Sequence, residues 1–210
     1  MHIPDGILDP KVWVSAAAVT GAVLYKSVKY SQRTLEHRAV PVMGAMAAFI
    51  FAAQMINFPL LGAAASGHLI GAAVCAILFG FWPSTLIMST VVIIQAVMFQ
   101  DGGITALGAN ILNMAIVAPA AAALTHKLMQ KLSLPGSVSA IVSGWVSVVT
   151  VAAVGALELA LSGVVSLQLA MSTLLFWHGF IGIGEGLITA VVLQFAIRSS
   201  FAFAAKEMAS

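Results

Sequence analysis

Apolar runs of about 15–25 residues recur along this chain, and polar, glycine- or proline-containing breaks separate them, the pattern of a multi-pass helical membrane protein. The first run covers residues 11–29 and follows Asp9-Pro10, a pairing suited to a helix start, with Asp at the cap and Pro in the first turn. A basic stretch over 30–38 ends it. Further runs cover 39–58, 68–82, 83–100, 106–129 and 137–161. The small-residue segment 61–67 reads as a loop, 101–103 as a turn and 133–136 as a break. Residues 166–178 read as a partial helix interrupted at Gly179, Gly182, Gly184 and Gly186, before a last span over 184–197. The pattern predicts an all-α integral membrane protein of about seven transmembrane helices. It forms one domain over residues 1–210, with 1–9 as a segment ahead of the first span.

Composition agrees. Of the 210 residues, 61% are hydrophobic and only 8% charged, and the mean hydropathy is +1.06. A soluble domain carries roughly a quarter charged residues, so this chain cannot cover a water-facing surface. The net charge of +2 comes from scattered basic residues, which argues against a nucleic-acid partner. With seven spans, Lys26, Lys29, Arg33, Arg38, Lys127, Lys131, Arg198 and Lys206 fall on one side and Lys11 on the other. The positive-inside rule makes the basic side cytoplasmic. The N-terminus is then outside and the C-terminus inside. The opening residues lack the basic, apolar pattern of a cleavable signal, so the N-terminus is expected to be native. Cys75 lies in an apolar run and reads as a small buried side chain.

The candidate chemistry starts at Met1-His2-Ile3-Pro4-Asp5-Gly6. A free α-amine, the backbone amide nitrogen of His2 and the near nitrogen of its ring can close fused chelate rings around one metal ion. Planar nitrogen ligation suits Ni(II) or Cu(II), and low-spin Co(II) at a stretch, and excludes the oxygen-loving Mg²⁺ and Ca²⁺. His68, placed at the start of the third span and on the outer side, is the candidate fourth nitrogen. His2, Asp5, Asp101, Glu158 and His178 map to the outer ends, and Asn110, Asn113 and Glu185 to the outer halves of their helices; His37 and His126 map to the inner face. Glu185 is an ionisable side chain inside an apolar bundle, which points to function, and His178 is placed to share its network. Asn110 and Asn113 suit helix–helix hydrogen bonding as well as a metal's surroundings. Gly182-Ile183-Gly184-Glu185-Gly186 lacks the Lys and Ser/Thr of a phosphate loop. The small-residue stripes Gly44/Ala48/Ala52 and Ala17/Gly21 permit close helix approach, within the bundle or with a partner. No His-Glu-x-x-His, Gly-x-Ser-x-Gly or nucleotide-binding motif occurs, so the sequence reads as neither an enzyme nor a self-powered pump.

Four stretches together resemble the CbiM/NikM family, the substrate-specific S components of energy-coupling-factor (ECF) nickel and cobalt transporters. They are the N-terminal hexapeptide, Ser66-Gly67-His68-Leu69-Ile70-Gly71, the region from Gly102 to Met114, and Gly182-Ile183-Gly184-Glu185-Gly186-Leu187-Ile188-Thr189. The resemblance implies an S-component bundle with one added N-terminal helix in a prokaryotic cell membrane. It implies a square-planar nitrogen site at Met1, His2 and His68, with Ni²⁺ or Co²⁺ as transported substrate and no resident cofactor. It also implies a transmembrane coupling (T) protein, a pair of ABC-type ATPases and a small accessory membrane subunit as partners. The accessory part is fused at the C-terminus in some members; this chain ends at Ser210, so here a separate protein is expected. Asp5, Asn110, Asn113, His178 and Glu185 become candidates for holding the ligands in place, and Gly44, Ala48 and Ala52 for docking partners. Pro4-Asp5-Gly6 looks more like nickel members than cobalt ones, although both metals accept these ligands.

Overall fold

The computed structural model describes residues 1–35 and 39–198, without the side chains of residues 197 and 198. His37, Arg38 and Lys206, assigned above to the inner face, lie outside the described residues. Helix α1 starts where the sequence places it. The Asp9 carboxylate accepts from the Lys11 backbone N–H at 2.8 Å, Pro10 fills the first turn, and the helix runs Pro10–Thr34. Helix α2 is Ala39–Gln54. Short strands β1 (Phe58–Leu60) and β2 (Ala65–Gly67) then pair antiparallel, with Phe58 opposite Gly67. The chain continues through α3 (Ala72–Phe79), α4 (Phe81–Phe99), α5 (Leu107–Ile111), α6 (Ala118–Lys131), α7 (Gly136–Leu161) and α8 (Leu167–Arg198). A π-helical turn, Leu112–Val117, joins α5 to α6, so residues 107–131 form one rod.

Among the described residues, four helices are long and apolar enough to cross a membrane: Phe81–Phe99, Leu107–Lys131, Gly136–Leu161 and Leu167–Ala196. The structure corrects three expectations. The expected third span is an eight-residue helix, α3, about 12 Å long and too short to cross. His68 does not open that helix; it directly follows β2. The partial helix and last span are one continuous α8, unbroken by its glycines. Gly182 and Gly186 make room for α7 rather than breaks, whereas a Cβ at Gly179 would meet nothing within 4 Å. A Cβ at Gly186 would lie 2.5 Å from the Ile141 carbonyl oxygen, and one at Gly182 would lie 3.0 Å from the Trp145 ring. The hairpin escaped the sequence reading because Ala65-Ser66-Gly67 carries little strand propensity.

Helix directions place one end of the bundle against the N-terminus. Gly108 at the start of α5 packs on Ala17 of α1, and the Thr20 hydroxyl donates to the Gly108 carbonyl at 2.8 Å. Farther along α1 the Ser27 hydroxyl donates to the Trp82 carbonyl at the start of α4 at 2.5 Å. So α1 and the α5–α6 rod run away from the N-terminal segment while α4 returns toward it. Lys26, Lys29 and Arg33 on α1, and Lys127 and Lys131 on α6, therefore sit at the opposite end. Met1, Ile3 and Leu8 are buried in the same core as Ile70, Met88, Met114 and Leu159.

Candidate metal centre

The first three residues belong to no helix or sheet; this N-terminal strand of chain inserts into the mouth of the bundle, and all three residues are buried. Burying a side chain such as Met1 or Ile3 is worth roughly 1.5–3 kcal/mol each, which offsets the entropy of ordering a terminus. Asn110 provides the backbone pairing. Its side-chain oxygen accepts from the Ile3 N–H at 2.9 Å and its side-chain nitrogen donates to the Ile3 carbonyl at 3.0 Å. The Gly103 N–H donates to the same carbonyl at 2.9 Å. Asp5 staples the far end of the strand. Its carboxylate accepts from the N–H groups of Ile104 and Thr105 at 3.0 and 2.7 Å and from the Thr105 hydroxyl at 2.6 Å. That hydroxyl contact holds the Asp5 carboxyl below the usual carboxylate range. Only glycine fits at position 103, where a Cβ would lie 2.3 Å from the Asp5 nitrogen.

Behind the strand, the Met1 side chain fills the space opposite Gly155 of α7. Its amine donates to Met114 Sδ at 3.5 Å, and Met114 sits in the π turn. Such turns re-aim side chains within a helix and are frequent at functional sites. The His2 N–H donates to Ser66 Oγ at 2.9 Å, on strand β2.

His2 and His68 meet here. The His2 and His68 rings stack with centroids 4.7 Å apart. His2 Nε2 lies 3.0 Å from Gln95 Oε1, and His68 Nδ1 lies 2.7 Å from the Leu69 carbonyl. Each of those acceptors takes a ring N–H. His2 Nδ1 and His68 Nε2 are then left as buried ring nitrogens without a hydrogen-bond partner. Burial lowers both histidine pKa values, that of His2 to about 4, so both rings are neutral at pH 7. Asp101 Oδ1 stands 3.4 Å from His2 Nδ1, and Asn57 Nδ2 donates to Asp101 Oδ2 at 3.0 Å. Partial burial raises the Asp101 carboxyl.

The remaining sequence candidates divide. Glu185 holds the chain just past His68, its two oxygens accepting from the N–H groups of Ile70 and Gly71 at 2.8 and 2.6 Å. Asn113 does not reach the strand; its nitrogen donates to Glu158 at 2.6 Å. His178 is fully buried with Nδ1 donating to the Leu174 carbonyl at 2.9 Å, and no hydrogen bond joins it to Glu185. Gly44, Ala48 and Ala52 lie on the exposed side of α2. Sequence reading passed over Gln95, and gave Ser66, Met114 and Asp101 no role in the site. Gln95 is a neutral polar residue in an otherwise apolar run, and that was its one visible signal. Among the described residues no group of three or more His, Cys, Asp or Glu side chains is placed to hold a metal.

Fold and site together define a helical membrane protein whose N-terminal strand is drawn into the bundle beside two neutral histidines. A model of the CbiM family, described as the cobalt uptake substrate-specific transmembrane region, matches residues 2–201. The chain belongs to this family. It is 41% identical over 128 residues to a fused nickel transport protein, NikMN, of Rhodobacter capsulatus, covering 61% of this chain and 37% of that one. It is 37% identical over 159 residues to the cobalt transport protein CbiM of Acetohalobium arabaticum, covering 74% of this chain and 59% of that one. The chain spans less than two thirds of these relatives' lengths, and 65% of one from Archaeoglobus fulgidus. A crystal structure of a truncated transition metal transporter superposes with a TM-score of 0.90 at 32% identity, covering 94% of this chain and 99% of that one.

Proposed function

We propose that this protein captures Ni²⁺ or Co²⁺ as the substrate-specific membrane subunit of an ECF-type importer. The observation that carries the reading is the pair of bare, buried ring nitrogens, His2 Nδ1 and His68 Nε2, on stacked neutral imidazoles, one of them on the residue that follows the Met1 amine in the chain. The amine, the deprotonated amide of His2 and these two nitrogens make a four-nitrogen set. Main-chain nitrogen supplies half of it, which fits the lack of a conventional side-chain cluster among the described residues. On binding, the His2 N–H that now donates to Ser66 is exchanged for a metal bond, and the Met1 ammonium sheds a proton. A planar set of nitrogens favours Ni(II) and Co(II) over Zn(II), which prefers tetrahedral sites. Asp5, Asn110 and Glu185 hold the strand and the His68 segment in register, the outer-shell support that metal ligands need. Asn113 and His178 support the helices around it.

The strand end faces outside and the basic end inside, in keeping with the positive-inside rule, in a prokaryotic cell membrane. The bundle is that of an S component, with α1 as the added N-terminal helix. A coupling protein and an ABC-type ATPase pair drive release inward, with the exposed Gly44/Ala48/Ala52 stripe as a docking face. A small accessory membrane subunit completes the set, in line with the fused NikMN name of a relative. The test compares nickel binding by protein with a free Met1 amine, checked by intact mass, against protein extended by one N-terminal residue. One-to-one binding with the yellow spectrum of planar Ni(II), lost on extension, supports the reading. Equal binding by both proteins refutes the chelate.

A further inference from the structure

We propose that Gln95 is the positioning residue that selects the metal-binding tautomer of His2. The inference rests on the chelate reading above, because only a bare Nδ1 closes the six-membered ring with the His2 amide. A neutral imidazole has one proton for two nitrogens, and at His2 two acceptors compete for it. On the Nε2 side stands Gln95 Oε1 at 3.0 Å; on the Nδ1 side stands Asp101 Oδ1 at 3.4 Å. The first distance lies within the normal N–H···O range and the second lies beyond it. Asp101 is a carboxylate, so its charge pulls the proton toward Nδ1, the position that blocks chelation. Gln95 opposes that pull from a fixed position. It is fully buried in the last turns of α4, and its main-chain carbonyl accepts from the Asp101 N–H at 3.0 Å where the helix closes at left-handed Gln100. Its own amide nitrogen is unpartnered, so the His2 ring is the one side-chain hydrogen bond Gln95 makes. One residue thus ties the end of α4, the turn carrying Asp101 and the ring that offers Nδ1.

The test uses full-length protein in detergent micelles with ¹⁵N-labelled histidine, the His2 signals being assigned with a His2→Gln variant. In the metal-free wild type the ring proton is expected on Nε2. In Gln95→Leu it moves in large part to Nδ1, and nickel affinity falls by roughly 10–100-fold, the usual effect of losing such support. Gln95→Glu, which keeps an acceptor, retains the Nε2 proton and wild-type nickel affinity within a few fold. Adding Asp101→Asn to Gln95→Leu returns the proton toward Nε2. An unchanged tautomer and affinity in Gln95→Leu overturns the proposal, as does an Nδ1 proton in Gln95→Glu. A wild type that carries the proton on Nε2 yet forms no planar nickel complex refutes the chelate reading and leaves the tautomer selection by Gln95 standing.

Discussion

The imidazoles of His2 and His68 lie stacked with 26° between their planes, one from the N-terminal strand and one from the residue after β2. Stacking contributes about 0.5–1.5 kcal/mol, while the bare nitrogen of His68 is the fourth donor in the proposed set. Two substitutions separate these roles. His68→Ala removes both, and His68→Phe keeps an aromatic face without a nitrogen. Both are expected to weaken nickel binding at least ~100-fold by competition titration and to change the visible spectrum. Wild-type affinity in His68→Phe would remove His68 from the ligand set.

The strand is held by Asn110 and by the lack of a side chain at Gly103. Asn110→Ala strips the Ile3 N–H of its acceptor, while the Ile3 carbonyl keeps the Gly103 N–H. A buried unsatisfied donor costs about 1–3 kcal/mol, so amide exchange at Ile3 should speed up and nickel affinity drop by about tenfold or more. Gly103→Ala should do worse, because the added Cβ meets backbone of Pro4 and Asp5, which cannot rotate away. Slower exchange at Gly103→Ala than at Asn110→Ala would contradict this order.

Glu185 acts on His68 from behind. Glu185→Gln turns one of its two acceptor oxygens into a donor facing a backbone N–H of Ile70 or Gly71. The lost bond and the unpaired donor together destabilise the protein by about 1–3 kcal/mol, seen as a lower Tm. Metal affinity is expected to fall in the same variant, because the His68 segment loses its anchor; an unchanged affinity would make Glu185 a structural residue alone.

Acid should release the strand. The His2 pKa is about 4 in the folded protein against an ordinary value of 6.5, because burial disfavours the charged ring. Between those values the unfolded strand binds more protons than the seated one, so seating is fully stable above about pH 6.5 and weakens as pH falls toward 4. Buried His68 acts in the same direction. The protection factor for amide exchange at Ile3 in metal-free protein, which corrects for the intrinsic slowing of exchange in acid, should therefore fall from pH 7 to pH 5, and a His2→Gln variant should show less of that fall.

Much of this was legible locally. The cap at Asp9, the long apolar helices and the candidate Met-His chelate each depend on residues adjacent in the chain. Their physics is propensity, hydropathy and the geometry of neighbouring donors. The α8 glycines were misread for the complementary reason. A glycine in isolation weakens a helix, and only the backbone of α7 2–3 Å from where a Cβ would stand shows that it serves packing.

By itself, then, the sequence determined that the chain is a helical membrane protein and pointed to its first two residues as a candidate chelate, because both follow from short-range chemistry. Tertiary structure decided the rest. It seated the terminus on Asn110, stacked His2 on His68, set Gln95 against one ring nitrogen, and sent Asn113 to Glu158 instead. Each of these pairs joins residues far apart in the chain. Hydrogen bonds at 3 Å depend on helix positions that no local pattern encodes.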